Sequence, residues 1–186
     1  FHKCYPDLVL EGLEPHLPKG WDSDFDLIGA PVDWCGINYY TRSNIAAKDG
    51  AWPNVQAVEG PLEKTQMGWE IYPDGLYEFI MRPHREYTKG LPIYVTENGM
   101  ANDDPIVSGC ITDDARIAYI EAHLQAAMRT IKDGAPLMGY YIWSLLDNYE
   151  WALGYEKRFG LVHVDFDTLE RLPKKSFETL KGWIER

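Results

Sequence analysis

Glu97 is the residue of this sequence with the plainest chemical promise. It closes the run Pro-Ile-Tyr-Val-Thr-Glu (92–97), and the turn signal Asn98-Gly99 follows it. A carboxylate there can attack an electrophilic carbon or take up a proton. It can equally be a plain hydrogen-bond acceptor at a strand end, and the segment alone leaves both readings open. Strand alternation puts Ile93, Val95 and Glu97 on one face, with Tyr94 and Thr96 on the other. A second run, 32–40, ends in Asn38-Tyr39-Tyr40, so Asn38 and Tyr40 share a face. A phenol beside a carboxylate can hydrogen-bond it and fix its rotamer, although a strand Tyr more commonly just packs. A third run, 137–143, ends in Trp143, and Asp147, Asn148, Glu150, Trp151 and Phe159 lie beyond it. Trp143 could floor a sugar ring, and Glu150 could accept from two adjacent hydroxyls. Trp151 could donate one indole N–H. Any single Trp is more simply core, but the cluster of Trp143, Glu150 and Trp151 is harder to explain by packing.

Those three runs read as buried strands, being short, β-branched or aromatic, and bounded by Gly, Pro or Asn. Helical patterns separate them. One spans 74–88, with Leu76, Phe79, Ile80 and Tyr87 at helical spacing. The clearest spans 112–132, with Thr112 as N-cap and a stripe of Ile117, Ile120, Leu124, Ala127, Met128 and Ile131. Gly134 stops it and Pro136 follows. A last helix is expected over 174–184 and an opening one over 6–13. Strand alternating with helix predicts βα units and a parallel sheet. The segments after the strands (41–72, 98–111, 144–172) are long, whereas the joints after the helices are short. That asymmetry suits a (β/α)8 barrel, whose post-strand loops build the active site; a complete barrel needs roughly 250 residues. Three βα units cannot close one, so the chain reads as part of a barrel.

Composition sets the outer limits. The formal net charge is -11, from 29 acidic and 18 basic residues, which argues against nucleic acid and anionic lipid as partners. No long apolar run suggests a membrane span. Three cysteines (Cys4, Cys35, Cys110) lie far apart, as expected of reduced thiols in a cytoplasmic protein. His2, His16, His84, His123 and His163 are scattered and make no metal-ligand pattern.

Four segments together resemble glycoside hydrolase family 1, the β-glucosidase and β-galactosidase group. They are WCGINYYTR (34–42), MGWEIYPDGL (67–76), PIYVTENG (92–99) and WSLLDNYEWALGYEKRFGLVHVDFDT (143–168). They keep the family's order and span nearly the whole chain. The resemblance implies an α/β fold: the C-terminal part of a (β/α)8 TIM barrel, strands six to eight with their helices. On that reading residues 1–186 form one portion of a single domain, incomplete by itself.

The resemblance implies no metal and no organic cofactor, and it also implies roles. Glu97 matches the nucleophile of a retaining exo-β-glycosidase, and Tyr40 the residue that orients it. Asn38 matches a sugar contact, Trp143 the stacking residue, Glu150 the carboxylate on two far hydroxyls and Trp151 a donor beside it. Phe159 matches an aromatic near the exocyclic CH2OH, and Trp69 one at the aglycone entrance. The peptide between Trp143 and Ser144 is often cis in the family. The family's acid/base Glu, in a T-F/L-N-E-P motif, does not occur in these 186 residues and is expected in the preceding portion of the barrel. Expected partners are that portion and small β-glucosides or oligosaccharides; a homo-oligomer is left open. Three rivals remain at this stage. The family's 6-phospho-glycosidases usually carry Ser and Tyr where Glu150 and Phe159 stand. A non-catalytic sugar binder would need no nucleophile, and a transglycosylase would use the same residues.

Overall fold

A computed structural model describes residues 14–50, 53–88 and 90–185. The expected opening helix over 6–13 lies outside them, as does Cys4. After the short helix α1 (Asp24–Ile28) come β1 (Cys35–Asn38), β2 (Asn44–Ala47), β3 (Val55–Val58) and α2 (Pro73–Glu86). Next are β4 (Ile93–Asn98), β5 (Ile106–Val107), β6 (Cys110–Ile111) and α3 (Asp114–Lys132). The chain continues through β7 (Leu137–Ile142), β8 (Val162–Val164), β9 (Arg171–Pro173) and α4 (Lys175–Ile184).

The three expected strands are β1, β4 and β7, and they form one parallel sheet in the order β1-β4-β7. The intervening helices cover one face. Ile37, Tyr39, Ile93 and Val95 from the sheet pack on Leu76, Ile80 and Met81 of α2 and Ala127 of α3. A second cluster joins Met100, Tyr119, Ile120 and Leu161 to Phe177, Leu180 and Trp183 of α4. The opposite face carries Trp34, Tyr94, Thr96 and Tyr141 along an open trough. Trp34 and Tyr141 remain 51% and 59% exposed there. Hence both faces of the sheet are aromatic or apolar, as in a parallel sheet meant to be covered on both sides.

The long segments after the strands fold into the antiparallel hairpins β2–β3, β5–β6 and β8–β9. Two local expectations need correction. Helix α3 starts after Asp113 rather than Thr112, and Asp113 gives no side-chain cap, since its carboxylate is taken by Arg116 and Ser176. The α3 stripe is also rotated. Its buried face is Arg116, Tyr119, Ile120, His123, Ala127 and Thr130, while Met128 and Ile131 are exposed. Hydrophobic periodicity missed this because the buried face includes the polar Arg116, His123 and Thr130, each held by a hydrogen bond. The stop at Gly134 stands, with its φ of 95° in the left-handed region that Gly tolerates.

Candidate active site

Residues expected to do chemistry gather at the C-terminal edge of the three-stranded sheet. The β4 register slips against both neighbours: Ile37 pairs with Val95 but Asn38 with Glu97, and the β7 pairing jumps from Val95 to Asn98. This bulge breaks the expected alternation. Val95 stays under the helices, 0% exposed, whereas Glu97 turns to the same side as Thr96 and meets Tyr40. Glu97 therefore does not share a face with Ile93 and Val95. An extra residue in one strand re-aims the next side chain, and no sequence period reports it.

The Tyr40 hydroxyl donates to Glu97 Oε2 at 2.7 Å. Burial, that hydrogen bond and the adjacent Glu97 charge push the Tyr40 phenol far above its ordinary value, so it stays a donor. Asn38 accepts from the Thr96 hydroxyl at 2.6 Å, which leaves its amide N–H groups to donate elsewhere. Behind Tyr40 stand Trp69 and Phe159, with ring centroids 5.5 and 6.1 Å away. Phe159 is only 2% exposed, so it braces Tyr40 from behind rather than offering open surface.

Trp143 hangs from β4 through its own N–H, which donates to the Asn98 carbonyl at 2.9 Å. The Trp143–Ser144 peptide is cis. Glu150 faces this group: burial raises its pKa, the Trp143 side chain lowers it by hydrogen bonding, and the Glu97 charge raises it again. Glu97, Glu150, Tyr40 and Trp143 thus line one rim, two carboxylates interacting across it. Trp151 stands on the same loop, 84% exposed and with φ 44°.

Two buried ion networks hold the rim loops. Glu70, next to Trp69, accepts from Arg42 Nε at 2.7 Å, Asn44 at 3.0 Å and the Leu62 N–H at 2.8 Å. Those three donors, the Leu62 N–H foremost, lower its pKa to about 2. Arg116 is 1% exposed and joins Asp104 (2.5 Å) to Asp113 (2.9 Å) while donating to the Met100, Arg158 and Phe159 carbonyls. Burial, the largest single effect, would raise Asp104, but the Arg116 charge and hydrogen bond, the Asn102 hydrogen bond and the Lys174 charge together outweigh it and hold the carboxyl below its ordinary value. Lys174 bridges Asp104 and Asp147, and Asp147 binds Arg158 at 2.7 Å. The network pins the segment after Glu97 to the segment that carries Glu150 and Phe159. Among the described residues no cluster of three His, Cys, Asp or Glu could hold a metal ion. No described helix is long and apolar enough to cross a membrane.

The family model for glycosyl hydrolase family 1 matches residues 2–186. The chain belongs to glycosyl hydrolase family 1. It is 44% identical to a 1,4-beta-D-glucan glucohydrolase of Thermotoga neapolitana, over 92% of this chain and 39% of that protein. It is 40% identical to a bifunctional beta-D-glucosidase/beta-D-fucosidase of Bifidobacterium breve, over 97% of this chain and 43% of that one. The solved beta-glucosidase of Thermotoga maritima in complex with deoxynojirimycin superimposes with a TM-score of 0.91 at 42% identity, over 97% of this chain and 41% of that structure. The chain thus spans about two fifths of the length of these relatives. Its parallel sheet and helices are a fragment of the family's TIM barrel.

Of the residues singled out in the family motifs, Glu97, Tyr40, Trp143 and Glu150 converge directly. Asn38 joins through Thr96, and Trp69 and Phe159 stand behind Tyr40. Trp151 shares the loop of Glu150. Sequence reasoning missed Glu70, Asn98, Arg116, Asp104 and Lys174. Glu70 lies within an aromatic run and Asn98 at the end of a β-branched one, while Asp104, Arg116 and Lys174 sit among other charges, and none of these settings announces the partner.

Proposed function

We propose that this chain is the nucleophile-bearing part, strands six to eight, of a single-domain retaining exo-β-glycosidase. Its substrates are terminal β-D-glucosyl residues, with β-D-galactosyl and β-D-fucosyl residues as further candidates. The observation that carries the reading is the 2.7 Å bond from Tyr40 to Glu97 Oε2 on the rim that also holds Glu150 and Trp143. The glucan glucohydrolase and the glucosidase/fucosidase among its relatives, and the beta-glucosidase solved with deoxynojirimycin, support the same reading.

Glu97 attacks the anomeric carbon, forming a carboxylate ester as the glycosidic C–O bond breaks. A second Glu, outside these 186 residues, protonates the leaving oxygen and then deprotonates the water that hydrolyses the ester. The two carboxyls should stand ~5 Å apart, the retaining spacing. Tyr40 holds the unreacted carboxylate in its attacking rotamer. Trp143 supports the ring, and Glu150 and Trp151 address its hydroxyls. No cofactor enters, and the 186 residues alone are inactive. The scattered cysteines fit a cytoplasmic protein.

A 2-deoxy-2-fluoroglucoside with a good leaving group should trap the ester in the full-length protein. Peptide mass mapping should find the adduct on Glu97, and Glu97→Gln should abolish it. An adduct elsewhere, or none, rejects the assignment. Glu150 also disfavours 6-phosphorylated sugars by like-charge repulsion. The nitrophenyl glucoside should therefore be hydrolysed in clear preference to its 6-phosphate.

A further inference from the structure

Asn98 follows the nucleophile directly, yet it faces away from the rim. It is wholly buried, and every part of its carboxamide is engaged. Nδ2 donates to the Tyr39 carbonyl at 2.8 Å and contacts the Tyr119 hydroxyl at 3.1 Å, while Oδ1 accepts from the Tyr140 hydroxyl at 2.5 Å. The Tyr119 hydroxyl continues to the Tyr40 carbonyl at 3.2 Å. The backbone shares the pattern: the Tyr39 N–H donates to the Glu97 carbonyl and the Trp143 N–H to the Asn98 carbonyl, both at 2.9 Å. One amide therefore gathers β1, β7 and α3 around the peptide that carries Glu97. Its partners lie in or beside Tyr40 and Trp143, which line the rim.

The bulge explains why such a knot is needed. Between Val95 and Asn98 the β4–β7 ladder skips a step, so regular pairing does not set the rotation of Glu97. A satisfied buried polar network permits one arrangement and penalises others, because each alternative strands a donor or acceptor without water. We propose that Asn98 is a positioning residue for the reaction assigned to Glu97: it locks the bulged peptide so that the carboxylate meets both Tyr40 and the substrate carbon. This rests on the function proposed above.

Asn98→Asp is the sharpest test, because it keeps shape and the Tyr140 acceptor but replaces both N–H donors with an oxygen. In the full-length protein, with rates counted per site labelled at saturation by the fluoroglucoside, kcat should fall ~10- to 100-fold while KM moves less than ~3-fold. Tyr140→Phe keeps the ring and removes one donor, and should lower kcat ~3- to 10-fold with the same split. It decides the matter if Asn98→Asp does not fold. A folded Asn98→Asp with kcat within ~2-fold of the parent overturns the proposal, as does a KM rise equal to the kcat loss. If Asn98→Asp is unfolded, a Tyr140→Phe kcat within ~2-fold overturns it as well. If the parent is never labelled on Glu97, the functional reading fails. If it is labelled and the variants turn over normally, only the positioning role fails.

Discussion

Tyr40→Phe removes one oxygen and little else. The ring's contacts with Trp69 and Phe159 are made by carbon and persist in Phe. What disappears is the 2.7 Å donation to Glu97 Oε2, a hydrogen bond from a neutral phenol to a charged acceptor. Bonds of that kind contribute ~1.5–3 kcal/mol net. Tyr40 is only half buried, so the lower part of that range applies. Part of the loss is also recovered if water replaces the hydroxyl. At ~1.4 kcal/mol per decade, kcat/KM should fall ~10- to 50-fold. The assay is the inactivation rate by the fluoroglucoside, which isolates formation of the ester, beside kcat/KM for a nitrophenyl glucoside. The melting temperature is the control, since the packing is retained. A kcat/KM within ~2-fold of the parent would refute the view that this bond presents the nucleophile. A large loss accompanied by a collapse in melting temperature would show instead that Tyr40 acts through the fold.

Three further outcomes follow from the same structure. Arg116→Met strands Asp104 and Asp113 without their guanidinium, and should cost ~3–5 kcal/mol in a denaturation midpoint analysis of the full-length protein. A cost below ~1 kcal/mol would mean Lys174 and water replace it. Gly99→Ala places a Cβ 1.8 Å from the Trp143 carbonyl oxygen. That backbone atom has nowhere to go, so the variant should be less stable by ~3 kcal/mol or more and lose the rim; wild-type melting would show the approach is looser. His123 is fully buried, its Nδ1 donates to the Tyr119 carbonyl, and its Nε2 has no partner; burial lowers its pKa to about 4. The folded state therefore binds this proton more weakly than the unfolded chain, so the contribution is intact above pH ~6.5 and is lost as pH falls toward 4, at up to ~1.4 kcal/mol per unit. His123→Gln should flatten that part of the stability–pH curve, and an unchanged slope would rule out His123 as the source.

The sequence by itself determined the three strands of the parallel sheet, the three helices that follow them and the nucleophile candidate. Period-two and period-3.6 patterns are local properties, and β1, β4, β7, α2, α3 and α4 appear within a few residues of where those patterns put them. Long post-strand segments marked the functional edge for the same reason. The motifs around Tyr40, Glu97 and Trp143–Trp151 carried the family, because chemistry at a strand end needs particular side chains and not merely apolar ones. Only the tertiary structure decided how those residues face one another. The bulge that turns Glu97 away from Val95 arises from pairing with two neighbours at once, which no single strand encodes. The rotated face of α3, the Arg116 network and the Asn98 knot share that origin. Each joins residues up to 70 positions apart, and a buried amide or charge reveals its worth only when the partner that satisfies it is in place.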